Sequence, residues 1–256
     1  MRAFLLLFGE SPSALASGEA VRYAERYLLS KGWLVSKGWL VGMALGVGVA
    51  FSMAGCEDIG GPFAGVRGSG NVITEERDVS DFDEIVVLGS GDVVVSVTGT
   101  ESVMIEAEDN ILPLLTTEVK GGRLELGSDS SFSTTQGITY VITVASLQGV
   151  EITGSGDVAA TGIDIDSFAV AISGSGDVEA SGTSRDLSVG ISGSGNYYGG
   201  DLVALTGSVR ISGSGSAVVN VTDDLKASIS GSGDVEYLGD PALDASTSGS
   251  GDIVRR

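Results

Sequence analysis

Eight times this chain repeats the tripeptide Gly-Ser-Gly, with its first glycine at Gly68, Gly89, Gly154, Gly174, Gly193, Gly213, Gly231 and Gly249. Apart from one interval of 65 residues, neighbouring copies lie 18 to 21 residues apart. A fuller form of the repeat is Ile172-Ser173-Gly174-Ser175-Gly176-Asp177-Val178. A period near 20 is the mark of a stacked-coil solenoid, in which one short unit cannot bury its own apolar face and lies on copies of itself. The repeat therefore predicts an all-β, single-stranded parallel β-helix.

Between the copies, apolar residues alternate. Phe168, Val170 and Ile172 lead into one corner, Leu187, Val189 and Ile191 into the next, and Leu225, Ala227 and Ile229 into a later one. Val178 with Ala180, and Val235 with Tyr237, continue the spacing of two beyond the corner. Such alternation marks strands with one buried face, and runs of about 5 residues are too short for helices.

The glycine pairs Gly154/Gly156, Gly174/Gly176, Gly193/Gly195 and Gly231/Gly233 read as turn-building residues. A tight corner calls for φ values that a Cβ resists, and coils only about 4.8 Å apart leave no room for side chains at the bend. Each corner ends in a short polar residue: Asn71, Asp92, Asp157, Asp177, Asn196, Ser216, Asp234 or Asp252. One reading is a carboxylate ladder that binds a cation. The favoured one is an acceptor for free corner amides in an Asx-type turn, because Asn71, Asn196 and Ser216 carry no charge. No metal site and no cofactor are implied.

Residues 1–55 differ in kind. Lys31 and Lys37 precede an apolar run from Trp39 to Ala54, followed by Gly55 and Cys56, the pattern of a secretory signal. Met53-Ala54-Gly55-Cys56 resembles the lipobox of bacterial lipoproteins, which implies cleavage before Cys56 and lipidation of that cysteine. The apolar run is shorter than the ~20 residues a membrane span needs. The expected organisation is a leader over 1–55, the lipidated cysteine and a tether over 56–65, and the β-helix over 66–256.

Five of the 14 basic and three of the 34 acidic residues precede Cys56, so the remainder holds 9 basic and 31 acidic groups, a net of −22. That charge argues against nucleic acid and against adsorption on anionic lipid surfaces. With one cysteine in the chain, no internal disulfide can form.

The long interval from Gly89 to Gly154 spans about three periods, so two hidden corners are expected within it. Ile105 to Ile111 matches the corner motif position by position, and Leu124 to Asp129 offers the second. Ten corners at about 4.8 Å would make a rod of roughly 45 Å. The stretch from Ser128 to Gly137 reads as a protruding loop, and Lys120-Gly121-Gly122-Arg123 reads as a hairpin turn that would make the first half less regular. At the far end, Arg255 and Arg256 read as protection of an open strand edge, the alternative being a dimer interface.

The run from Gly68-Ser69-Gly70-Asn71-Val72 to Phe82, then Glu118-Val119-Lys120-Gly121-Gly122, then the serial corners, resembles the bacterial auto-transporter adhesin, head GIN domain family over residues 66 to 252. The resemblance implies a right-handed single-stranded β-helix and no established activity, and the corners counted above give it about ten coils.

There is no histidine, and the one cysteine is assigned to the anchor, which excludes His-based triads, Cys–His nucleophiles and zinc centres built on those ligands. Polysaccharide-active β-helices remain the enzyme alternative, but the basic residues are scattered along the chain. No catalytic residue is assigned. Of the neighbours Tyr197 and Tyr198, strand geometry turns one inward and one outward, and Tyr198 could stack on a sugar. The expected protein is a non-catalytic, adhesin-like binding module, lipid-anchored in the cell envelope at the outer membrane, with a glycan or an envelope protein as ligand. The alternative is a structural or scaffold lipoprotein of the periplasm. Oligomeric state stays open.

Overall fold

The computed structural model describes residues 65–256. The expected leader, Cys56 and the expected tether up to Ala64 lie outside the described residues. The first half contains β1 (Val66–Arg67), β2 (Val72–Arg77), β3 (Glu84–Val87), β4 (Asp92–Val97), β5 (Ser102–Glu108), β6 (Leu115–Lys120), β7 (Arg123–Ser128), β8 (Phe132–Ser133), β9 (Thr139–Val144) and β10 (Gly149–Ile152). The second half contains β11 (Val158–Ile172), β12 (Val178–Ile191), β13 (Tyr197–Ile211), β14 (Ala217–Ile229), β15 (Val235–Leu238), β16 (Ala242–Thr247) and β17 (Ile253–Arg255). Among the described residues the only helical element is a 3-10 turn at Leu112–Leu114.

Strands β11 to β14 each run from one corner to the next and make up most of a coil. They pair in parallel with their neighbours along nearly their full length, with register shifts where a coil bends from one side to the next. The spacing of two puts Ile152, Ile172, Ile191, Ile211 and Ile229 in one register row, all buried. Burial of each such side chain stabilises by roughly 1.5–3 kcal/mol. The chain therefore forms a β-solenoid of about five turns from Gly154 to Gly249. At about 4.8 Å per turn this regular stretch is about 24 Å long.

The two hidden corners are not there. Ile105 to Glu108 lie in β5, which runs antiparallel to both β2 and β9. Glu108 stands opposite Val72, so the segment is the antiparallel partner of the strand that follows the Gly68 corner. Leu124 to Ser128 form the second arm of a β6–β7 hairpin that turns at Gly121 and Gly122, both with positive φ, as the hairpin reading expected. The first corner, Gly68-Ser69-Gly70, also stays outside the regular stack. Antiparallel pairing in this half replaces coils, and the ten-coil count falls with it.

The Ser128 to Gly137 stretch does not protrude freely. Its β8 pairs in parallel with β1, Phe132 packs against the core, and the amide of Val66 donates to the Ser131 carbonyl. Phe132 is the apolar residue that draws the segment back.

Candidate binding face

The corners are held together by backbone. The amides of Ser155, Ser175, Ser194, Ser214, Ser232 and Ser250 each donate to the first corner glycine of the preceding coil, at 3.0–3.1 Å. A Cβ added to Gly154, Gly174, Gly193, Gly213, Gly231 or Gly249 would fall under 3.0 Å from that same carbonyl oxygen. The second glycines, Gly156, Gly176, Gly195 and Gly233 among them, meet their counterparts in the same way. None of these has a positive φ. Of the two reasons expected for glycine, close approach of coils operates in the regular stack and backbone conformation does not.

The polar residues after the corners also bond between coils. The amide of Asp177 donates to Asp157 Oδ1 at 2.9 Å, and both the amide and the Nδ2 of Asn196 donate to Asp177 Oδ1 at 2.8 and 2.9 Å. Ser216 N then donates to Asn196 Oδ1, Asp234 N to Ser216 Oγ, and Asp252 N to Asp234 Oδ1. Each acceptor thus serves the equivalent amide of the next coil, where an Asx turn would serve its own corner. A carboxylate, an amide or a hydroxyl performs this task equally. Among the described residues no group of three or more acidic or cysteine side chains is placed to hold a metal ion.

The Gly68 corner, which has no stacked corner beneath it among the described residues, is clasped by side chains instead. Glu108 is completely buried, and its carboxylate accepts from Gly70 N, Thr134 Oγ1, Thr135 N and Thr135 Oγ1. Asp109 accepts from Ser69 Oγ and Asn71 Nδ2, and Asn110 Oδ1 accepts from Ser69 N. The hydroxyl of Thr134 is the main influence holding the Glu108 carboxyl below its ordinary value, against the opposing effect of burial, and the Asn71 amide does the same for Asp109. Sequence reading missed Glu108, because an acidic residue in an alternating strand reads as solvated.

Tyr197 and Tyr198 divide as strand geometry demands. Tyr197 is buried, its ring lying where a Cβ on Gly199 would be, and burial pushes its phenol well up. Its hydroxyl makes no hydrogen bond to any described residue. Tyr198 is 45% exposed and stands between Glu179 and Val218 of the adjacent coils. Nothing gathers a catalytic constellation around it.

On the sheet that leads into the corners, the outward row runs Glu151, Ala171, Gly190, Arg210, Ser228. The small residues in its middle open a groove of about 430 Å³ that is also lined by Ser173, Ser192, Ser212 and Ser230. The hydroxyls of Ser192, Ser212 and Ser230 make no hydrogen bond among the described residues. The sequence carries this groove only as a register relation across five adjacent strands, so it cannot be seen by scanning along one.

Such a body defines a class: a parallel β-solenoid joined coil to coil through glycine corners, with its polar sheet faces turned outward. The chain belongs to the family described as "putative auto-transporter adhesin, head GIN domain", whose model matches residues 81–241. The fold is similar to that of a crystallised "putative adhesin" from Bacteroides fragilis. That protein is 25% identical with a TM-score of 0.63, and the match covers 75% of this chain and 100% of that one. It is also similar to a crystallised "putative lipid binding protein" from Parabacteroides distasonis, at 25% identity and a TM-score of 0.51, covering 75% of this chain and 99% of the other. No curated protein matches the chain.

Proposed function

We propose that this protein is a non-catalytic, adhesin-like binding module of the bacterial cell envelope. It is held by a lipid on Cys56 and presents its solenoid faces to a glycan or an envelope protein. The observation that carries the reading is the kinship with the adhesin family, joined to a groove that crosses coils on an exposed sheet face, with serine hydroxyls beside an apolar floor. Right-handed winding belongs to the same reading, since parallel crossovers are right-handed in about 98% of cases. Tyr198, exposed on the sheet that follows the corners, is a second point of contact for a sugar ring. The relative whose name includes lipid binding fits a body that works beside a membrane. Among the described residues no helix is long and apolar enough to cross one, and the lipid supplies the attachment.

The experiment is fractionation and protease treatment of intact cells expressing the full chain. The expected results are an acylated protein in the outer-membrane fraction, release of Cys56→Ser into the soluble fraction, and cleavage without permeabilisation. An unacylated protein, or one in which Cys56→Ser leaves the fractionation unchanged, would remove the anchor from the account. Protection until the outer membrane is opened would favour the periplasmic scaffold instead.

A further inference from the structure

Gly190 differs from the corner glycines. It lies within the 14-residue strand β12, its φ is not positive, and a Cβ placed on it would come no nearer than 4.0 Å to any atom, the Val170 carbonyl oxygen. Neither backbone conformation nor close packing calls for glycine there, although glycine weakens a strand interior by roughly 0.5–1 kcal/mol. The register runs through Gly190 without a bulge, and of the uses of a strand glycine the one left is room for a group that approaches closely. Its row neighbour Ala171 is small too, while Glu151 and Arg210 stand on either side. The opening is two coils wide, roughly 10 Å, the breadth of a pyranose ring with its substituents.

Its charges are asymmetric. Glu151 is engaged by Arg123, which also pairs with Glu84. On the same sheet Lys120 pairs with Glu118 and Glu125, and Lys226 with Asp244. Arg210, exposed at the other border, makes no ion pair among the described residues, in a chain of net charge −20. A planar guanidinium without a carboxylate is suited to grip a ligand's carboxylate with two parallel hydrogen bonds. The unbonded hydroxyls of Ser192 and Ser212 flank it and can exchange hydrogen bonds with sugar hydroxyls. The strongly negative remainder of the protein disfavours a densely charged polymer, so acidic units separated by neutral ones fit best.

We propose that the groove over Ala171 and Gly190 binds one acidic sugar of a polysaccharide, with its carboxylate on Arg210 and its ring over Gly190. This rests on the binding-module reading and names its ligand class.

The test is calorimetry on the full chain in detergent, with a hyaluronan hexasaccharide as the acidic probe and chitohexaose as its neutral counterpart. The wild type is expected to prefer the acidic probe, Arg210→Ala to weaken it about tenfold or more, and Gly190→Val to block it with an unfolding midpoint no lower than that of the wild type. Gly190→Ala, which intrudes less, gives a smaller loss and serves if the valine variant folds poorly. Equal binding by wild type and Arg210→Ala, or no binding of the acidic probe, overturns the assignment. Adhesion of cells displaying the chain to a mucin-coated surface separates the two levels. If adhesion persists without hexasaccharide binding, the groove assignment fails and the binding module stands; if both are absent, both fail.

Discussion

Replacing Gly193 by alanine should break the solenoid locally, while the same change three residues earlier, at Gly190, should not. A Cβ on Gly193 would lie 2.7 Å from the Ser173 carbonyl oxygen and closer still to that of Gly174. These are backbone atoms, so relief requires the two coils to separate. Separation strains the hydrogen bonds from Ser192 N to Ile172 O at 2.8 Å and from Ser194 N to Gly174 O at 3.0 Å. Overpacking costs about 1–3 kcal/mol and each of the two weakened hydrogen bonds about 0.5–1.5 kcal/mol, so the expected loss is about 2–6 kcal/mol. At Gly190 the Cβ enters open space, and the expected change is neutral to about 1 kcal/mol stabilising. Urea unfolding of both variants reads the difference, and Gly193→Ala should lower the midpoint by roughly 1 M or more. A Gly193→Ala protein as stable as wild type, or a Gly190→Ala protein as damaged as it, would refute the claim that coil approach dictates the corner glycines.

Tyr197→Phe removes a buried hydroxyl with no partner among the described residues and should stabilise by about 1 kcal/mol, seen as a raised thermal midpoint; a lowered one would mean the hydroxyl is satisfied. Asp177→Ala removes the acceptor of two hydrogen bonds from Asn196 and should cost about 1–2 kcal/mol, whereas Asp177→Asn keeps an acceptor and should cost clearly less. If the asparagine variant is as damaged as the alanine one and calcium raises the wild-type midpoint, the acceptors are cation ligands after all. Glu108 has a folded pKa below its ordinary 4.5, so its contribution is complete above that pH and is lost as pH falls through the lower folded value. Glu108→Gln should therefore lower the unfolding midpoint at pH 7, with a deficit that narrows in acid below pH 4.5; a deficit constant with pH would show that the carboxylate charge is irrelevant.

The second half of the fold is written in the sequence because one coil occupies one period and every corner meets the same demand. Gly154 to Gly249 form a stack in the order in which they are read. The first half resists the same reading. Ile105 to Ile111 carries a corner-like text, but an antiparallel strand can satisfy the same alternation, and pattern alone does not give strand direction. Glu108 illustrates the limit from the other side: its four donors come from Gly70, Thr134 and Thr135, which only the β2–β5 pairing and the return of Phe132 bring together. The groove is a relation among Ala171, Gly190 and Arg210 across coils of 19 and 20 residues, and small differences in coil length hide such rows from inspection.

Amide hydrogen exchange at the corners tests the stacked ladder directly. Corners are usually the fastest-exchanging parts of a β-protein, but here Ser175, Ser194, Ser214 and Ser232 each donate to a glycine carbonyl one coil back. Protection of these four amides comparable to that of Val170 and Val189 within the strands is the expected result. Exchange at the rate of an unstructured peptide would mean that the glycine corners are ordinary surface turns and that the coils are held by something else.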